Sequence, residues 1–264
     1  MKKISAGLAT AIILCFLAGA ASAASGTDEA GADQRWEALS AQLKDILQKV
    51  EEAGEGLETV RADVRYERSI PLLEEKEECG GELVFQKPDR LVLKLGEPRN
   101  EDAYSDGSTW WIVSHDDQQV EIYEMVENPR QTREAAFLKF GYGRSARELL
   151  KQYEVSLAEE RSVEVPATGG QDEAKTVTEF ILRFSPREQE APSRYSWIEV
   201  AVREGGWLPV RLRLAENEGR IMHVYRLTDR KVNVDVEEGS FSYTPPEGYT
   251  ILRPASGGRG SSGQ

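Results

Sequence analysis

His115, Asp116 and Asp117 form the one local cluster of histidine and carboxylate in the 264-residue sequence. A zinc site or an acid–base pair would need a further ligand or partner nearby, and the other histidine, His223, lies far along the chain. It alternates with Ile221 and Tyr225, which places it on a buried strand face, whereas His115-Asp116-Asp117 reads as the tip of a hairpin. The sequence has no Gly-x-Ser-x-Gly elbow, no Walker loop and no Cys-x-x-Cys pair. Nothing here supports an enzyme, and no cofactor or metal is expected. The chemistry points first to binding. Lys87 follows Leu83 and Phe85 on one strand face, where it either snorkels to water or reaches for an acceptor. Trp110, Trp111 and Trp197 are either core or flat platforms for a ligand, and adjacent tryptophans on a strand must face opposite ways.

The elements that would position these residues are mostly strands. From Gly80 to Tyr123 the chain reads as a meander: Glu82–Lys87, a Pro-Asp corner, Leu91–Leu95, then Tyr104 and Thr109–Val113 around Asp106-Gly107, then Val120–Tyr123. Asp-Gly between apolar runs predicts a type I′ turn, and Pro88 ends its strand because it has no N–H to donate. Before the meander, Trp36, Leu39, Leu43, Ile46, Leu47 and Val50 recur at helical spacing over Arg35–Ala53, a helix ended by Gly54 and Gly56. The period changes to two from Thr59, where Val60, Ala62, Val64 and Tyr66 alternate with charged residues.

After the meander, Asn128–Tyr153 holds helix formers and a capping box, Ser145 with Glu148, and predicts a helical flap on one face of the sheet. Strands resume at Glu154–Glu160, Thr176–Phe184, Arg194–Arg203, Trp207–Leu214, Gly219–Leu227 and Lys231–Val236. One apolar face per strand, with too few helices to cover both sides, predicts a mainly β domain: a single curved antiparallel sheet of about ten or eleven strands. Its helices would cover the concave face.

Lys2-Lys3, the apolar run Ile4–Ala20 and Ala21-Ser22-Ala23 predict a secretory signal peptide over residues 1–23. The domain would then span residues 24–253, followed by a Gly/Ser-rich, disordered tail over 254–264. Cys79 would be the one cysteine left, so no internal disulfide can form. The net charge is −13, and removing Lys2 and Lys3 leaves 31 basic against 46 acidic residues, or −15. Nucleic acid and anionic membrane are therefore poor long-range partners, while a basic protein face would suit, unless the charge serves solubility alone.

Gly81-x-Leu83-x-Phe85-x-Lys87-Pro88-Asp89-Arg90-Leu91, followed by Ser105-Asp106-Gly107-x-x-Trp110-Trp111, resembles the LolA family of periplasmic outer-membrane lipoprotein carriers. Gly206-Trp-Leu-Pro-Val-Arg-Leu212, Gly219–Arg226 and Phe241-Ser-Tyr-Thr-Pro-Pro-Glu-Gly-Tyr249 resemble that family's ending. The resemblance implies an incomplete barrel that carries lipoprotein or lipid acyl chains through the periplasm as a monomer. It implies an inner-membrane ABC transporter that loads the carrier and an outer-membrane acceptor that unloads it. It also implies that the basic residue before the proline, here Lys87, holds a helical lid shut. With the alternation, Leu83, Phe85, Leu91, Leu93, Phe180, Leu182, Val210 and Leu212 become the expected cavity lining, with Lys87 at its mouth. Two other classes stay open: an RseB-like periplasmic sensor of lipid or lipoprotein, and a periplasmic hydrolase, which would need a polar cluster inside the sheet.

Overall fold

The computed structural model describes residues 25–124, 145–166, 174–187 and 195–253. The signal peptide, the tail and positions 128–144 of the expected flap lie outside those residues. The described chain forms one twelve-stranded sheet flanked by three helices. Following the chain, the strands are β1 (Thr59–Ile70), β2 (Glu75–Gln86), β3 (Arg90–Leu95), β4 (Glu101–Ser105), β5 (Thr109–Ser114) and β6 (Gln119–Glu124). They continue as β7 (Tyr153–Val165), β8 (Lys175–Pro186), β9 (Tyr195–Arg203), β10 (Pro209–Glu216), β11 (Ile221–Val232) and β12 (Thr250–Leu252). The helices are α1 (Ser25–Ala38), α2 (Ala41–Glu55) and α3 (Ala146–Gln152).

Across the sheet the order is β12-β6-β5-β4-β3-β2-β1-β11-β10-β9-β8-β7. Two antiparallel meanders thus join where β1 meets β11, the long-range pairing that closes residues of the chain's start against its end. β12 alone is parallel, against β6. It raises the count above the ten or eleven strands predicted, and three residues without alternation gave no signal of it. A second difference lies at β11, which runs unbroken where the sequence suggests two strands, because β1 pairs with it from Val60 to Ser69.

Helix and turn chemistry account for two more differences. The single helix expected over Arg35–Ala53 is two, broken at Leu39-Ser40: Ser40 is extended and its hydroxyl accepts the N–H of Leu43, starting α2 as a cap. Asp106-Gly107 does not make a two-residue I′ turn. Only Gly107 takes a positive φ, 97°, and the Asp106 carboxylate accepts the N–H groups of Ser108 and Thr109, so the loop has three residues between β4 and β5.

One apolar cluster joins α2 through Leu43, Ile46, Leu47 and Val50 to inward side chains of β1 to β11. A single helix can touch both halves of so wide a sheet only if the sheet wraps around it. On the outer face, the segment after β11 crosses β2 to β6 and packs Phe241, Tyr243 and Tyr249 against Val84, Val92, Tyr104, Val113 and Val120. His115 fastens this segment, with Nδ1 3.1 Å from the Tyr249 hydroxyl and Nε2 3.1 Å from Asp102. The cluster singled out in the sequence is thus a staple at the sheet's edge.

Candidate functional site

Seven of the eight apolar residues expected to line one cavity do come together. Leu83, Phe85, Leu91, Leu93, Phe180, Leu182 and Leu212 share the inner cluster, all buried, under α2. Their common face follows from strand alternation across pairs such as Leu83 with Leu93 and Leu182 with Val200. Val210 is the exception. It packs with Ile181 and Ala201 in a separate cluster, because β10 slips register between Pro209 and Arg211 and the bulge turns Val210 out of the inner row.

Lys87 finds acceptors at the end of α2, while positions 128–144 of the expected flap lie outside the described residues. Its ammonium donates to the backbone carbonyls of Gly54 at 2.9 Å and Glu55 at 3.0 Å, the last turn of α2. Those carbonyls lie at the C-terminal end of the helix and carry the negative end of its dipole, so a cation there is favoured. Asn233 clasps the same turn: its amide donates to Gly56 at 3.0 Å while its side-chain oxygen accepts the N–H of Glu58. Sequence reasoning missed Asn233, whose signal is an asparagine at positive φ just past a strand.

The rest of α2 is pinned to the other half of the sheet. Lys49 lies 4.9 Å from the ring centre of Trp207, which in turn stacks on Phe180 at 5.6 Å. Gln42 donates to Glu160 of β7 at 2.7 Å. α3 adds a second support, since Glu51 of α2 accepts the N–H of Ala146 and Arg35 of α1 donates to the carbonyl of Leu150. Ser145 caps α3, accepting from Arg147 at 3.1 Å.

The inner face is not apolar throughout, as strict alternation would have it. Toward one end, the Tyr66 hydroxyl lies 3.0 Å from His223 Nδ1, and His223 Nε2 lies 3.0 Å from Glu216. Beside them Arg99 donates to Glu101 at 2.8 Å. Burial pushes the Glu101 carboxyl up to about 7 although the charge of Arg99 and its hydrogen bond pull the other way. Burial likewise raises Tyr66, and takes the Cys79 thiol up to about 11, which keeps it protonated and unreactive. Tyr66, His223 and Glu216 satisfy one another, as do Arg99 and Glu101, and together they form a polar end wall. Among the described residues, no three His, Cys, Asp or Glu side chains group as a metal site.

The tryptophans divide as strand geometry requires. Trp110 is buried in the inner cluster, and Trp111 packs against the outer one. Trp197 is on the outer face, with the guanidinium groups of Arg183 and Arg213 at 4.8 and 5.4 Å from its ring centre. Those two arginines share the buried carboxylate of Glu199, at 2.6 and 2.7 Å. A strand-pair away, Arg161, Arg203 and Arg211 share Glu179, at 2.6, 3.0 and 3.5 Å. Burial works to raise the Glu179 carboxyl, but the hydrogen bonds from Arg161 and Arg203 and the charge of Arg211 outweigh it and hold it below the ordinary value.

None of the described helices is long and apolar enough to cross a membrane. The family described as "Outer membrane lipoprotein carrier protein LolA" matches residues 69–194. An outer-membrane lipoprotein carrier protein of Alkalilimnicola ehrlichii is 27% identical over 183 residues, 69% of this chain and 72% of the relative. Among solved structures, an uncharacterized conserved protein from Thermus thermophilus has a TM-score of 0.47 at 12% identity, covering 80% of this chain and 99% of that one. A LolA superfamily protein from Nitrosomonas europaea has a TM-score of 0.38 at 12% identity, covering 78% and 99%. Residues 69–194 of this chain are thus similar to the LolA family, and the chain is similar over 183 residues to an outer-membrane lipoprotein carrier protein.

Proposed function

We propose that this protein is a periplasmic carrier that shields acyl chains of lipoproteins or lipids between its sheet and α2, moving them toward the outer membrane. The observation that carries the proposal is the inner apolar wall roofed by one helix whose last turn is held by Lys87. The family match over residues 69–194 and the name of the Alkalilimnicola ehrlichii relative support the class of cargo. Leu83, Phe85, Leu91, Leu93, Phe180, Leu182 and Leu212 would contact the acyl chain, Lys87 would latch the roof, and a membrane transporter and acceptor would load and unload it.

The energetics suit exchange. Lifting α2 uncovers Leu43, Ile46, Leu47 and Val50, and burial of such side chains is worth about 1.5–3 kcal/mol each. An acyl chain contributes about 0.8 kcal/mol per buried methylene, so one fatty chain can replace what the helix gives up. Cargo and helix then compete for the same wall at nearly equal free energy, and a weak latch can set the balance.

The test is binding of a fluorescent fatty acid, displaced by unlabelled long-chain lipid, for the parent and for Leu93→Glu and Leu212→Glu. Each substitution would set an unpaired carboxylate against the chain. Parent binding with loss in variants whose circular dichroism remains native is the expected result. No binding by the parent, or unaltered binding by folded variants, would overturn the proposal.

A further inference from the structure

The outer face of the sheet has two unlike halves. Over β2 to β6 it is covered by the segment that carries Phe241, Tyr243 and Tyr249. Over β7 to β11 and β1, the described residues that cover it are charged side chains of the strands themselves. Here Arg211 of β10 pairs with Arg226 of β11, and Arg226 pairs with Arg65 of β1, so three arginines stand side by side in one row. Like charges directly opposite on neighbouring strands destabilise a sheet. Burial and the surrounding arginines also hold Arg211 below its ordinary pKa. Glu179 and Glu67 offset this in part, at 3.5 Å from Arg211 and 3.2 Å from Arg226.

The same half holds Arg161, Arg183, Arg203 and Arg213, with Glu67, Glu159, Glu179 and Glu199 among its carboxylates. With Arg61 and Asp63 of β1, Glu154 of β7 and Lys175 of β8 also facing outward, these nine basic side chains against six carboxylates leave the strands of this face at +3 in a chain of net charge −13. At the end of the arginine row the sheet carries a depression of about 640 Å³, bordered by Arg65, Arg226, Thr228, Glu78 and Glu97, with Gly80 beside Arg65. Glu78 shares the Lys76 ammonium with Glu67, at 2.6 and 3.4 Å. A side-chain carbon added at Gly80 would meet nothing within 4 Å, so the depression is open there.

We infer that this arginine face is a docking surface for an acidic polypeptide segment of a partner protein, seated along Arg211, Arg226 and Arg65 and ending in the depression at Gly80. Charge complementarity selects the partner's chemistry. Trp197 between Arg183 and Arg213 adds the residue types most enriched where protein interfaces draw their affinity. An acidic segment is favoured over an anionic bilayer on range. Screening confines a small partner's view to charges within about 8–10 Å, where the face is basic, whereas an extended anionic plane faces the whole acidic molecule.

A fluorescein-labelled deca-glutamate peptide tests this on the full chain, with phosphatidylglycerol vesicles as a second arm. The peptide should bind the parent, more weakly as salt rises, and Arg65→Gln/Arg211→Gln/Arg226→Gln should weaken it about tenfold or more. That variant leaves Glu179 paired with Arg161 and Arg203, and Glu67 with Lys76. Gly80→Phe, which fills the depression and keeps every charge, should weaken it several-fold. Arg65→Lys/Arg211→Lys/Arg226→Lys should retain most of the binding, and Lys44→Gln/Lys151→Gln on the helix side should retain all of it. Absence of peptide binding by the parent, equal binding by the glutamine and glycine-site variants, or binding of vesicles without peptide would each overturn the inference.

Discussion

Replacing Lys87 with methionine removes the ammonium that joins the end of β2 to the last turn of α2 while keeping an unbranched apolar stem. Two hydrogen bonds are lost, to Gly54 and Glu55, the second of them exposed. A hydrogen bond involving a charged group is worth about 1.5–3 kcal/mol, and exposure lowers that, so the pair together comes to about 2 kcal/mol. Asn233 still holds Gly56, and Leu57 still donates its N–H to Gly54, so the turn itself survives. The loss therefore falls on the attachment of α2, and about 2 kcal/mol is a roughly 30-fold rise in its open population. Hydrogen–deuterium exchange reads this directly. Amides of residues 43–55 should exchange about 30-fold faster in Lys87→Met, with those of β9 and β10 unchanged, and Lys87→Arg should restore protection. Unaltered exchange in α2, or acceleration shared equally by the sheet, would refute the reasoning: the first makes Lys87 a snorkelling surface residue and the second makes its loss a global destabilisation.

Glu101 gives a pH dependence with a definite sign. Its folded pKa of about 7 is above the ordinary value, so its contribution to stability is complete below about 4.5 and is lost as pH rises through 7. The shift corresponds to on the order of 3 kcal/mol, and in urea melts Glu101→Gln should gain on the parent by that order between pH 4.5 and pH 8. Glu179 has the opposite sign: its lowered pKa gives stability present above about 4.5 and lost as pH falls through the folded value. Glu179→Gln should cost about 1–3 kcal/mol at pH 7, and the cost should vanish in acid. At Gly81, an added Cβ would sit 2.1 Å from the carbonyl oxygen of Lys94 on β3. Gly81→Ala should cost close to the upper end of the ~1–3 kcal/mol usual for overpacking, read as a lower urea midpoint.

Much of the inner wall was legible in the sequence because burial on one face imposes a period of two, and a period survives whatever the strands pair with. Leu83, Phe85, Leu91, Leu93, Phe180, Leu182 and Leu212 meet for that reason. The motifs around Lys87-Pro88 and Ser105-Asp106-Gly107 likewise carried the family resemblance without any structure. Val210 shows where the period stops informing: one bulge reverses a face, and a bulge is set by how β9 and β10 fit together, which no single strand encodes.

Contacts between distant residues were decided by the tertiary structure alone. The sequence marks Lys87 as a cation with something to reach, but only the wrap of the sheet brings the end of α2 within 3 Å of it. Asn233, Trp207 and Gln42 join the hold on α2 from three different parts of the chain. The arginine row is the clearest case. Arg65, Arg211 and Arg226 are unremarkable outward residues in their own strands, and they become neighbours only because β10, β11 and β1 pair in one register. Local spacing fixes which face a side chain takes. The pairing of strands that lie far apart in the chain fixes what that face meets, because it depends on the summed burial of the whole sheet and not on any segment's own pattern.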